Sequence, residues 1–134
     1  MKRVLAVGLV IGLLAGCGQG AAPELEAARD DGILLEVTLP AGPAYRGADG
    51  KAKYKDRGGE RELEVEVEDV RSLRGTTLSV FVGGSRVGGA RVNSLGDARL
   101  ERNSDLGQRV PGVVEGTRVQ VKTASGTVVV AGSF

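Results

Sequence analysis

Histidine and tryptophan are absent from this chain of 134 residues, and cysteine occurs once. Without histidine, the commonest general base and a frequent ligand of borderline metals are both missing. A serine or thiol nucleophile would have no imidazole to activate it, and no serine sits in a Gly-x-Ser-x-Gly elbow or a Ser-x-x-Lys pair. A single cysteine cannot close an internal disulfide, so its position says more than its number. Only Tyr45, Tyr54, Phe81 and Phe134 carry aromatic rings. That is too few to stack sugars or nucleic-acid bases along a surface, and no nucleic-acid partner is expected.

What the chain does have is glycine, 22 residues of it, together with many valines. Abundant glycine and β-branched residues without heptads favour short strands joined by tight turns. The composition suits one small domain behind a targeting segment.

The only cysteine is the key to the N-terminus. Lys2 and Arg3 precede the apolar run Val4–Gly16, which falls short of the roughly 20 residues of a permanent membrane span. A basic start, an apolar centre and small residues at its end form the layout of a secretory signal peptide, residues 1–16. The run ends as Leu14-Ala15-Gly16-Cys17. This closely resembles the lipobox of bacterial lipoproteins, and the resemblance implies that Cys17 becomes a diacylated mature N-terminus. Two or more acyl chains hold a protein stably to a membrane, where one is marginal. The membrane is therefore one expected partner, reached through the N-terminal acyl chains. Gly18 follows the cysteine. By the same resemblance, a residue other than Asp there implies the outer membrane where a cell has one, and otherwise the outer face of the plasma membrane. Residues 18–31 are small and polar with one proline, and read with Cys17 as a short tether (17–31).

Residues 32–134 read as a single all-β domain. "KAKYKDRGGERELEVEVED" places Gly58-Gly59 where a two-residue hairpin turn needs positive φ. The register then follows: Arg57 faces Glu60, Lys55 faces Glu62, Lys53 faces Glu64 and Lys51 faces Glu66. On the other face Tyr54 meets Leu63, Ala52 meets Val65, and Asp56 lies opposite Arg61. A slip of one residue would set lysines against apolar side chains. The regular glutamates Glu62, Glu64, Glu66 and Glu68 are thus read as half of an ion-pair array on a solvated face, each pair adding about 0.2–1 kcal/mol. They are not read as a metal site or acid pair, which would need carboxylates converging from several elements.

The remaining strands are Gly32–Pro40, with Leu35, Val37 and Leu39 on one face, and a hairpin turning at Gly83-Gly84. In that hairpin Leu78, Val80, Val82 and Val87 share a face, and Phe81 lies beside Arg86 on the other. A strand around "GDARLER" turns Ala98 and Leu100 inward. A last hairpin near Ser125-Gly126 offers Val119, Val121, Val128 and Val130 to the core. About eight short strands make a small antiparallel β-sandwich or partly open barrel. The features "GKAKY", "VEVEDV", "GTTLSVFVGG", "LGDARLERNS", "VPGVVEGTRVQV" and "GSF" also resemble a small β-domain of secreted and lipid-anchored bacterial proteins. That resemblance carries a fold and no chemistry.

No cofactor or metal site is expected. "GGSRVGG" lacks the ending and the following helix of a phosphate loop. Asp97, Glu101, Asn103 and Asp105 are spaced as a surface strand and an Asx turn rather than a calcium loop. Charge, however, is uneven. Cys17–Val70 holds 7 basic and 13 acidic residues, and Arg71–Phe134 holds 9 basic and 4 acidic. One reading is mutual neutralisation within the fold. The other is a partner-binding face built from Arg86, Arg91, Arg99, Arg102, Arg109 and Arg118, aimed at an envelope protein or anionic polymer. The expected function is a non-enzymatic, lipid-anchored envelope protein acting as a structural or interaction module. The alternative is a dedicated binding module, such as an adhesin or inhibitor, that uses the arginine face or the end loops.

Overall fold

The computed structural model describes residues 32–134. The expected signal peptide, Cys17 and the tether lie outside the described residues. The strands are β1 (Ile33–Leu39), β2 (Asp49–Arg57), β3 (Glu60–Glu68), β4 (Thr77–Val82), β5 (Ser85–Arg91), β6 (Ala98–Asn103), β7 (Arg118–Lys122) and β8 (Val128–Ser133). They form two four-stranded antiparallel sheets, sheet I in the order β1-β2-β3-β6 and sheet II in the order β5-β4-β7-β8. The sheets stack as a small sandwich and do not close into a barrel.

Alternation drives this packing. Leu63, Val65 and Val67 of β3 and Leu78, Val80 and Val82 of β4 all turn inward and are buried, while the residues between them face solvent or are half-buried. Both expected glycine turns form with positive φ, at 59° and 92° for Gly58-Gly59 and at 61° and 87° for Gly83-Gly84. The first hairpin pairs as the sequence dictates, from Asp49 opposite Glu68 to Arg57 opposite Glu60.

One side of the sandwich is laced together by backbone. After β1 the chain crosses to the edge of sheet II, where Ala131 N–H donates to the Pro40 carbonyl (3.0 Å) and Gly42 N–H donates to Val129 (2.8 Å). A Cβ at Gly42 would stand 2.6 Å from the Val128 carbonyl oxygen, so the approach needs glycine. On the opposite side Arg102, at an inward-facing register position beyond Leu100, lays its guanidinium against Gly88. Its stem helps to cover the open edge between β6 and β5.

Two bulges shift the phase that simple alternation gives. Val80 pairs with Gly88 and Phe81 with Arg86, which leaves Val87 as the extra residue. Val121 pairs with Val130 and Lys122 with Val128, which leaves Val129 extra. As a result Val129 is buried beside Val130, and Val128, expected in the core, is half-buried. The link between β6 and β7 adds two buried side chains that alternation did not offer, Val110 and Val113.

The bulge at β8 makes a direct comparison. Val129→Ala should cost about 2 kcal/mol, from two lost methyl groups and a cavity. Val128→Ala should cost well under half of that, as read from urea unfolding of each variant. Equal losses would mean that Val129 does not carry the core at this point.

Candidate functional site

The outer face of sheet I is a field of ion pairs. Lys51 Nζ lies 3.9 Å from Glu66 and Lys55 Nζ 3.6 Å from Glu62, as the hairpin register predicts. Lys53 and Glu64 are opposite in the backbone but take other partners. Lys53 reaches Glu36 on β1 at 3.5 Å, and Glu64 meets Arg99 on β6 at 2.6 Å. The reason lies in the sheet: β2 and β3 each have an outer neighbour strand, so each charged side chain has candidate partners on both sides.

Arg99 is the hub of this face. Its guanidinium also lies 3.3 Å from Glu66 and 2.6 Å from Glu101. A planar fork of five donors can serve several carboxylates at once, which an ammonium does less well. The Glu101 hydrogen bond, helped by the charges of Glu64 and Glu66, holds Arg99 above its already high proton affinity. Glu62, Glu64 and Glu66 are therefore engaged with cations, whereas Glu68, expected in the same array, lies opposite Asp49 and Glu60 takes Asn103 instead of Arg57, so neither is in an ion pair among the described residues. A shallow depression over this face is lined by Glu36, Lys51, Lys53, Glu64, Glu66 and Arg99, all parts of these pairs.

At the turn end, Asp56 lies 3.5 Å from Arg61 and accepts a long 3.5 Å hydrogen bond from the Tyr54 hydroxyl. Burial, and then the nearby Asp56 carboxylate, raise the Tyr54 phenol above its ordinary value of about 10. Asn103 builds the expected Asx turn, its side-chain oxygen accepting from Asp105 N–H at 2.8 Å.

Sheet II carries a different electrostatic pattern. Its four strands contain no Asp or Glu, yet they present Arg86, Arg91, Arg118 and Lys122. Register places all four on the outer face with Thr77, Ser79, Phe81, Gln120 and Ser133: Arg91 opposite Thr77, Arg86 opposite Phe81, Lys122 opposite Ser79 and Arg118 opposite Ser133. Among the described residues none of the four cations is in an ion pair. Arg86 Nε instead donates to Ser79 Oγ at 3.1 Å, and Lys122 Nζ stands 5.0 Å from the centre of the Phe81 ring.

The six arginines proposed from sequence are thus divided. Arg86, Arg91 and Arg118 share the outer face of sheet II. Arg99 is absorbed into the ion pairs of sheet I, Arg102 covers the sandwich edge, and Arg109 is exposed in the link between β6 and β7. Lys122 joins the face without having been singled out. The alternation Arg118, Gln120, Lys122 along β7 was the signal that could have found it. No family model, curated protein or solved structure gives a significant match to this chain.

Two measurements test this geometry. A double-mutant cycle between Arg99→Gln and Glu64→Gln should show clear coupling that weakens with added salt, whereas Lys53→Gln with Glu64→Gln should show little. Stronger coupling in the second pair would refute Arg99 as the hub. For Tyr54, the native state keeps the phenolic proton to higher pH than the unfolded chain does. Stability from this group is therefore complete below about pH 10 and falls as pH rises through the native titration. Tyr54→Phe should remove part of the alkaline fall in urea midpoint. An unchanged fall would exclude Tyr54 as a contributor.

Proposed function

We propose that this chain is a non-enzymatic, lipid-anchored protein of the cell envelope whose β-domain works as an interaction module. The observation that carries this reading is the partition of charge between the sheets. On sheet I cations hold Glu36, Glu62, Glu64, Glu66 and Glu101, and the carboxylates Asp49, Glu60 and Glu68 keep that outer face acidic. Sheet II leaves four cations on strands without a carboxylate. A flat face of one sign attracts partners of the other sign, with little help from pocket shape.

Membrane attachment rests on the sequence alone. A charged start, a short apolar run and a single cysteine after Leu-Ala-Gly support acylation at Cys17. Residues 18–31 would then join the anchor to β1.

Cys17→Ser should shift the protein from the detergent-extracted membrane fraction to soluble or uncleaved material. Mass spectrometry of the mature wild-type protein should find acyl chains on Cys17 as the first residue. An unmodified Cys17 would end the anchoring half of the proposal and leave the interaction half standing. Crosslinking from the outer face of sheet II in native envelopes should retain a partner, and a face that captures none would end the other half.

A further inference from the structure

We propose that β1 is a docking edge for β1 of a second copy of this chain, the two strands running antiparallel so that sheet I continues from one copy into the other. The sandwich has four sheet edges, β1, β6, β5 and β8. The chain itself obstructs three of them. Along β6, Arg102 Nη1 donates to the Glu101 carbonyl, Asn103 N–H donates to the Gln108 side chain, and Gln108 N–H donates to the Asn103 carbonyl. β8 is paired by the crossing segment at Ala41, and a bulge at Val87 distorts β5. β1 has none of these devices. Its register with β2 is unbroken, it holds neither proline nor lysine, and its one charged residue, Glu36, leans back to Lys53 at 3.5 Å. Ile33 and Leu34 are 47% and 58% exposed, and Leu35 and Val37 are half-buried.

Backbone parity decides which groups of β1 face outward. The turn at Gly58-Gly59 makes Arg57 and Glu60 a hydrogen-bonded pair, so every second residue of β2 from Arg57 back to Asp49 bonds β3. Asp56, Tyr54 and Ala52 therefore bond β1, through Ile33, Leu35 and Val37. The N–H and C=O of Leu34, Glu36 and Thr38 then point away from the sheet, in phase with the Pro40 carbonyl that meets Ala131. The Thr38 carbonyl lies against Gly132, which leaves Leu34 and Glu36 as the open residues. Among the described residues no hydrogen bond beyond the strand ladders reaches the backbone of either.

This pattern selects the occupant. An antiparallel strand exchanges bonds only where its own outward residues meet these two. Leu34 opposite Glu36 does so on both sides of a two-fold axis, with Leu35 opposite Leu35 and Ile33 opposite Val37. Slid by two residues one way, the copies would set Glu36 against Glu36. Slid the other way, Glu36 would meet Gly32, whose φ of 59° takes it out of the extended conformation. One register alone serves every open group, covers the exposed apolar side chains and leaves Glu36 with Lys53. The strand that fits β1 is β1 itself.

The test uses the full chain with Cys17→Ser in neutral detergent, so that an introduced cysteine is the only thiol. Leu35 would face its counterpart in a non-hydrogen-bonded pair, with Cα atoms about 4.5 Å apart and within disulfide range. Leu35→Cys should therefore give a disulfide-linked dimer on mild oxidation. Leu34→Cys and Glu36→Cys, diagonal to their counterparts, should give about tenfold less. Added to Leu35→Cys, Leu34→Glu should cut the yield about tenfold through two like-charge contacts with Glu36, and Leu34→Lys should keep it. Leu34→Pro should abolish the dimer and leave the urea midpoint nearly unchanged, because this N–H points away from β2. Equal cross-linking from all three cysteine positions, or equal effects of Leu34→Glu and Leu34→Lys, would overturn the proposal. So would a chain that stays monomeric, whether residues 18–31 or a strand of another protein covers β1. None of these variants touches sheet II, so the reading of that face as an interaction surface stands or falls separately.

Discussion

The glycine pair at Gly58-Gly59 sets the phase of β2 against β3, and the charge pattern of sheet I follows from that phase. Both residues adopt positive φ, the conformation a two-residue hairpin turn requires. Once they do, lysines and glutamates fall on one face while Tyr54, Leu63, Ala52 and Val65 fall on the other. The apolar set can then cover sheet II, and the charged set faces water with cations within reach of carboxylates. Individually such exposed pairs contribute little. The alternation of charged and apolar residues makes a one-residue shift costly, because it would bury charge and expose the core together, while the turn at Gly58-Gly59 selects among the shifts that keep the faces.

Concentrating carboxylates on sheet I has a consequence on the other side of the molecule. The strands of sheet II hold none, so their cations have no partner within the sheet. Two of them, Arg86 and Lys122, rest instead on a serine hydroxyl and an aromatic ring, contacts weaker than an ion pair and easily exchanged for an anion. The asymmetry visible along the sequence as an acidic first half and a basic second half is, in space, an asymmetry between two sheet faces. Arg99 crosses from the basic half into the acidic array of sheet I and offsets part of its charge.

The sequence was informative wherever local chemistry left one solution. Glycine pairs with positive φ, strict alternation through β3 and β4, and the register of the first hairpin were all readable, because each is fixed by neighbours within a few residues. The bulges were not, since Val128 and Val129 have the same side chain and only the pairing of β7 with β8 decides which is buried. Val110 and Val113 escaped for a similar reason: they lie outside any strand, and burial there depends on the path of the link between β6 and β7. The arginines show the same limit. Arg86 and Arg99 look alike in sequence, and which one meets a carboxylate depends on whether its strand pairs with β4 or with β3.

Strand order therefore carries the chemistry here. β6 leaves the basic half of the chain to join sheet I beside β3, and it takes Arg99 to Glu64 and Glu66. Had β6 paired beside β5 in sheet II, that guanidinium would have moved there together with Glu101, and Glu64 and Glu66 would have lost their shared partner. The arrangement that forms instead satisfies Glu62, Glu64 and Glu66 of β3 from both flanks, with lysines on β2 and an arginine on β6. It leaves Arg86, Arg91, Arg118 and Lys122 on the outer face of sheet II as the positive field that the pairs of sheet I do not cancel. A surface pairing that helps to specify the fold thus also determines which face remains charged toward a partner.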